Sequence, residues 1–347
     1  MSNKPLKYAA GLAALSGAAC LAVGAAAYSQ FLTRKAAARG MNSVPDGDIL
    51  AGKAGATGAV KRGPVDQFIY TNSGTESFFG RPWFPIMQEG VRWYLEKGSE
   101  EAAIASPTGR GRIHADVFRN ETPSDVWLIN LHGYTSAPRH CGNTTKVFYE
   151  WGYNVLLPYL GGHGRSESTG VSMGWLDRFD VIAWIDYIVS ENANAKVILY
   201  GGSMGGATVM MTTGEPLPAN VVCAVEDCGF TSFWDEYAYQ AKELLHLPVF
   251  ALHLMDAVVR LRQGFSMRDA SCVEQVKKSK TPTLFIHGED DDAVPFWMLD
   301  KIFEAAACEK EKLTFPGAGH GESAYQTELY YGAIKSFIEK HLQGESA

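Results

Sequence analysis

A serine bracketed by glycines, a histidine in a glycine turn and a carboxylate in an acidic turn could together break an acyl bond. Ser203 stands in Gly201-Gly202-Ser203-Met204-Gly205-Gly206, a match to G-x-S-x-G, after the apolar run Val197–Tyr200 and before the small-residue stretch Ala207–Met210. The pattern predicts a strand, a sharp turn and a helix. Glycines are needed where the two backbones approach, because a Cβ there would collide. Such a turn lifts the hydroxyl clear of the sheet and sets it at a helix N-terminus, where unpaired N–H groups favour developing negative charge. A hydroxyl is a poor nucleophile until a base takes its proton, so the chain must also supply a histidine and a carboxylate to orient it. His320 lies in the loop Pro316–Gly321, after a predicted strand at Lys312–Phe315. Glu289, Asp290, Asp291 and Asp292 follow a predicted strand at Thr283–Ile286. Adjacent residues of a turn point in different directions, so at most one of the four can meet the imidazole. Burying several together would push their pKa values up.

The order Ser, Asp, His is that of the α/β-hydrolase triad. Four further segments agree: Leu131-His132-Gly133-Tyr134-Thr135-Ser136, Gly162-His163-Gly164-Arg165-Ser166, the H-G-x-x-D-x-x-V-P run from His287 to Pro295, and Gly319-His320-Gly321. Over roughly residues 100 to 340 the chain resembles α/β-hydrolases of the serine-aminopeptidase and monoacylglycerol-lipase-like group. The resemblance implies a serine hydrolase with Ser203 as nucleophile, His320 as base and Asp291 as orienting acid, with Asp292 the runner-up. Asp291 fits the motif spacing, and Val294 and Pro295 then seat the turn and start the next helix. The main-chain N–H groups of Tyr134 and Met204 would form the oxyanion hole. No metal or organic cofactor is implied. His132 and His163 read as hydrogen-bonders that hold loops. The chain departs from its relatives at Pro158-Tyr159-Leu160-Gly161, where an acidic residue and an arginine are common.

The elements that must position these residues follow from the apolar pattern. Val126–Leu131 is a continuous apolar run, as expected of a central parallel strand buried on both faces. A helix at Cys141–Trp151, a strand at Asn154–Leu157, a helix at Leu176–Val189 and strands at Lys196–Tyr200 and Val221–Val225 alternate after it. Such alternation predicts a doubly wound, mostly parallel sheet. Ala102–Ala105 and Arg112–Phe118 read as edge strands joined at Pro107-Thr108-Gly109, and Trp83–Lys97 as an amphipathic helix. About fifty-five residues then pass before Thr283, too many for a plain connection. This insertion, about residues 227–280, is rich in aromatic and aliphatic side chains and predicts a small helical cap with helices broken at Pro248, enclosing an apolar pocket.

The chain has 347 residues, a formal net charge of −7 and no Lys/Arg-rich run, which argues against nucleic acid as a partner. Its six cysteines show no zinc-ligand spacing, and Cys223 and Cys228, though close, read as buried free thiols. Tyr8–Leu32 carries no charge and is long enough for a membrane span, which needs about 20 apolar residues. A cleaved signal peptide ending near Ala25-Ala26-Ala27 is the alternative. The expected organisation is an N-terminal hydrophobic helix within residues 1–39 that anchors the protein and takes no part in catalysis, a flexible linker over 40–67, and a catalytic domain over 68–347. The location expected is the cell membrane through that single anchor, or outside the cell after cleavage. The expected partner is a small-molecule ester or other acyl substrate. An ester-cleaving activity leads; an aminopeptidase or amidase, with Glu226, Asp227 or Asp235 holding a free amine, and a tethered binding protein without chemistry are the alternatives.

Overall fold

The structure, a computed structural model, describes residues 17–38, 45–51, 82–244 and 250–343. Helices α1 (Gly17–Phe31), α2 (Asp46–Ala51) and α3 (Phe84–Lys97) precede the sheet. Then come β1 (Glu100–Ala105), β2 (Arg112–Phe118), β3 (Val126–Leu131), α4 (Gly142–Glu150), β4 (Asn154–Pro158), α5 (Asp177–Glu191), β5 (Lys196–Gly202), α6 (Met204–Thr213) and β6 (Val221–Asp227). The cap follows with α7 (Phe233–Tyr239), α8 (Phe250–Gln263) and α9 (Cys272–Val276), and the chain closes with β7 (Thr283–Gly288), α10 (Trp297–Ala305), β8 (Lys310–Phe315) and α11 (Thr327–Leu342). The expected helix break at Pro248 lies outside the described residues.

The strands form one sheet in the order β1-β2-β4-β3-β5-β6-β7-β8. β1 with β2 and β2 with β4 pair antiparallel, and β3 to β8 run parallel. Alternation along β3 explains its unbroken apolar run: Trp127, Ile129 and Leu131 enter the core beneath α5, α6 and the cap, while Leu128 enters the core beneath α3, α4 and α11. On α3 the buried stripe is Phe84, Met87, Val91 and Tyr94, and Leu95, one step out of that spacing, is exposed.

The N-terminal segment is laid on this body. Helix α1 packs along α8 so closely that a Cβ at Gly24 would fall 2.3 Å from the Leu254 carbonyl oxygen. The chain then turns at Leu32, fully buried, and runs beside the loop after β4: the Val171 N–H donates to the Leu32 carbonyl at 3.0 Å and the Arg34 N–H to the Thr169 carbonyl at 2.9 Å. Tyr8–Ser16, the first part of the expected span, lies outside the described residues; among the described ones no helix is long and apolar enough to cross a membrane. Part of the expected linker is docked as well. Ile49 is buried against Phe84, Met87 and Val91, the Gln88 amide donates to its carbonyl at 2.7 Å, and Arg139 pairs with Asp46 at 2.6 Å. Leu50, beside Ile49 on this six-residue helix, packs against the same cluster.

Candidate active site

β5 passes into α6 through Ser203, whose φ of 56° and ψ of −121° lie where side-chain-bearing residues are strained. The turn is possible only because its neighbours lack a Cβ: one on Gly205 would sit 2.0 Å from the Leu131 carbonyl oxygen. The Ser203 hydroxyl thereby projects beyond the ends of β3 and β5. His320, in the turn after β8, brings Nε2 to 2.9 Å from Ser203 Oγ, and its Nδ1 lies 2.8 Å from Asp291 Oδ2. The three side chains that the sequence singled out thus form one hydrogen-bonded row.

Asp291 occupies the turn after β7 with its side chain closed to solvent. Its Oδ1 accepts from the N–H groups of Ala293 at 2.9 Å and Val294 at 2.8 Å, and Oδ2 also lies 3.3 Å from His287 Nε2. Burial works against its charge, yet His320 and His287 together hold its carboxyl well below the usual carboxylate range. Burial likewise opposes protonation of His320, but Asp291 carries the imidazole well above its ordinary value. The other acids of the turn, Glu289, Asp290 and Asp292, are exposed, and of their carboxylates that of Glu289 accepts from Thr314 at 2.8 Å.

Across from the serine lies the loop after β3. A Cβ at Gly133 would come 3.5 Å from Ser203 Cβ, so this backbone faces Ser203 directly, and Tyr134 follows it. Met204 is the first residue of α6. Two buried histidines hold the loop in shape. His132 Nε2 accepts from the Leu160 N–H at 3.1 Å while Nδ1–H donates to the Gly133 carbonyl at 2.8 Å. His163 Nε2 accepts from the Thr135 N–H at 3.2 Å and Nδ1–H donates to the Gly161 carbonyl at 3.0 Å. Burial lowers their pKa values to about 3 and about 4, so both stay neutral and act as fixed hydrogen-bonders. Asp177 secures the same turn by accepting from the Gly161 N–H at 2.8 Å and the Ser172 hydroxyl at 2.6 Å, beside Arg110 at 3.1 Å.

The N-terminal segment and the cap build the adjoining wall. The Tyr134 hydroxyl donates to the Phe31 carbonyl at 2.6 Å. The Phe31 ring stands edge-on to Tyr237 of α7, which stands edge-on to Phe233. Of the acids considered for holding a free amine, Glu226 and Asp227 are buried at the end of β6 and Asp235 is tied to Thr231 at 2.9 Å and Lys301 at 3.6 Å. The sequence reading passed over Glu236, buried on α7, and the supporting role of His287, whose place at the head of the H-G-x-x-D run was the available signal. It also passed over the part played by Phe31, for which no local pattern exists.

A mostly parallel sheet flanked on both faces, a serine on a strained strand-to-helix turn after β5, and an aspartate and a histidine on the loops after β7 and β8 define an α/β hydrolase. The chain belongs to the prolyl oligopeptidase family, whose profile matches residues 141–345. Among curated proteins it is similar to YqkD of Bacillus subtilis, 27% identical over 226 residues that cover 64% of this chain and 73% of that one. Among solved structures it resembles the Pyrococcus furiosus esterase Pf2001, with a TM-score of 0.58 and 20% identity, covering 71% of this chain and 94% of the esterase. A Pyrococcus horikoshii acylaminoacyl peptidase aligns with a TM-score of 0.55 and 16% identity over 72% of this chain and 43% of the peptidase.

Proposed function

We propose that the protein is a serine hydrolase that cleaves carboxylic esters through an acyl-enzyme. The observation that carries the reading is the unbroken contact from Ser203 Oγ to His320 Nε2 and from His320 Nδ1 to Asp291 Oδ2. His320 takes the Ser203 proton as Oγ attacks the acyl carbon. Asp291 fixes the tautomer and balances the imidazolium that forms. The tetrahedral oxyanion is met by the main-chain N–H groups of Tyr134 and Met204, and Met204 adds the N-terminal end of α6. His320 then returns the proton to the leaving alcohol, and water repeats the sequence to release the acid.

An ester of moderately apolar acyl chain is favoured because the wall beside the site is aromatic, with Phe31, Phe233 and Tyr237, and because Glu226 and Asp227 are buried and Asp235 is already paired. Membership of a peptidase family supports an amidase as the second reading. Labelling with a fluorophosphonate tests the nucleophile, and Ser203→Ala should abolish it; labelling that persists puts the nucleophile elsewhere. A panel of p-nitrophenyl esters beside aminoacyl anilides tests the substrate, each buried methylene contributing roughly 0.8 kcal/mol until the pocket is full. Turnover of the anilides alone would overturn the ester reading. For location, attachment to the cell membrane rests on the uncharged run Tyr8–Leu32, of which Gly17–Phe31 packs along α8, and fractionation of the full chain into the soluble pool would count against it.

A further inference from the structure

Beside the row of Ser203, His320 and Asp291 stands a group to which the proposed reaction assigns no part. Cys228 follows β6 directly, is 1% exposed, and holds a φ of 49°, a left-handed conformation that a side-chain-bearing residue seldom takes. Its N–H donates to the Ile286 carbonyl at 2.9 Å, so the strained backbone is fastened to β7. The thiol is thereby fixed among the site's own groups. Cys228 Sγ, a ring nitrogen of His320 and a carboxylate oxygen of Asp291 all lie within 4.8 Å of one another.

We propose that Cys228, His320 and Asp291 form an inhibitory binding site for a thiophilic divalent cation, with Zn²⁺ the ion that suits it. One sulfur, one imidazole nitrogen and one carboxylate oxygen are a donor set for zinc, whereas magnesium and calcium favour oxygen alone. Zinc holds sulfur at about 2.3 Å and nitrogen or oxygen at about 2.0 Å, which sets neighbouring ligand atoms roughly 3.5 Å apart. A separation at the 4.8 Å limit would have to close by roughly an ångström, and the 2.8 Å contact between His320 and Asp291 must open slightly. The ion has a way in, because the His320 side chain is 30% exposed while Cys228 and Asp291 are covered behind it. Burial pushes the free thiol up to about 12, so without a metal it stays protonated and inert. On binding, Zn²⁺ displaces to solvent the thiol proton and, where the imidazole is protonated, one ring proton of His320, and takes the ring lone pair so freed. The imidazole can then no longer accept the Ser203 proton, and acylation stops.

The inference rests on the proposed role of His320 only for its effect on activity; binding of the ion is independent of it. Two measurements separate these. Competition with a chromogenic chelator at fixed pH reads Zn²⁺ binding to the full chain, and the rate of fluorophosphonate labelling at set free Zn²⁺ reads its effect on the serine. The wild-type protein should bind one Zn²⁺ and lose labelling over the same concentration range, with Mg²⁺ inert. Cys228→Ala should weaken both by about tenfold or more, since a ligand is removed. Cys228→Gly, which suits the left-handed backbone, should do the same if the alanine variant fails to fold. Ser203→Ala should bind as wild type does. Equal binding by Cys228→Ala and wild type, no binding by wild type, or equal inhibition by Mg²⁺ would each overturn the proposal. Binding that depends on Cys228, in a protein that no phosphonate labels, would uphold the site and sink the hydrolase reading instead.

Discussion

Asp291 keeps its charge with no access to water, and two main-chain N–H groups and two imidazoles make that possible. An asparagine there would keep the shape and lose the charge, leaving His320 free to take the wrong tautomer. In the serine-protease precedent that change lowers kcat by ~10⁴. Asp291→Asn should approach that loss and Asp292→Asn should stay near wild type, measured as kcat on one ester; collapse confined to Asp292→Asn would move the acid by one residue. The same pair fixes the pH profile. In the proposed reaction neutral His320 is the base, and Asp291 raises its pKa above the ordinary 6.5, so kcat/KM should fall with acidity through a midpoint above that value. A midpoint at or below 6.5 would contradict the geometry. Asp291 was legible in sequence because its turn has a fixed spacing to Val294 and Pro295. Cys228 and Glu236 were not, because what matters about them is what lies opposite, and that comes from loops far along the chain.

The short stretch from Tyr28 to Ala37 is built into the wall beside Ser203 although the sequence assigns it to an anchor. It is stitched to the loop at Thr169–Val171 and meets the loop after β3 where the Phe31 carbonyl accepts from the Tyr134 hydroxyl. Periodicity could not reveal this. Helix α1 is apolar on every side, so nothing in its pattern marks the face that meets α8. Tyr134→Phe removes one hydrogen bond, a change of about 1 kcal/mol, and should lower kcat by severalfold at most while leaving KM close to wild type. A chain beginning at Val65 loses the aromatic wall at Phe31 as well, so its kcat/KM should fall further and its KM should rise. Full activity in that shortened chain would show that the segment only rests on the domain. Strands and flanking helices, by contrast, were legible to within a few residues, because an alternating apolar pattern with short connections leaves few topologies.

Across the whole molecule, buried carboxyls should leave a mark on how stability varies with pH. Glu226 and Glu236 are buried carboxyls, raised by desolvation to about 8, and Glu236 Oε1 accepts from the Gln240 amide at 2.6 Å. A folded-state pKa above the unfolded value means that this stability is fully present below the unfolded pKa and is lost as pH rises through about 8. Glu236→Gln removes that titration and can keep the contact with Gln240. Its melting temperature relative to wild type should therefore climb between pH 5 and pH 9, by the equivalent of a few kcal/mol at roughly 1.4 kcal/mol per pKa unit. A difference that stays flat with pH would show Glu236 to be ionised in the fold. The doubly wound, mostly parallel sheet was readable in advance, but not the place of β2, which read as an edge strand and lies between β1 and β4; nor was the cap's path, since an insertion of mixed aromatics can fold over a sheet in many ways. The two ends of the described chain are also unequal as handles. Helix α11 is seated in the sheet's far core through Tyr330, Ile334 and Phe337, so load applied beyond it is spread over the body. Load applied upstream of Tyr28 is taken up first where α1 packs along α8, and what passes that contact reaches Phe31, whose carbonyl the Tyr134 hydroxyl meets. A surface that grips the protein by its N-terminal side therefore pulls on a segment tied to the loop that faces Ser203, and one that grips it by α11 does not.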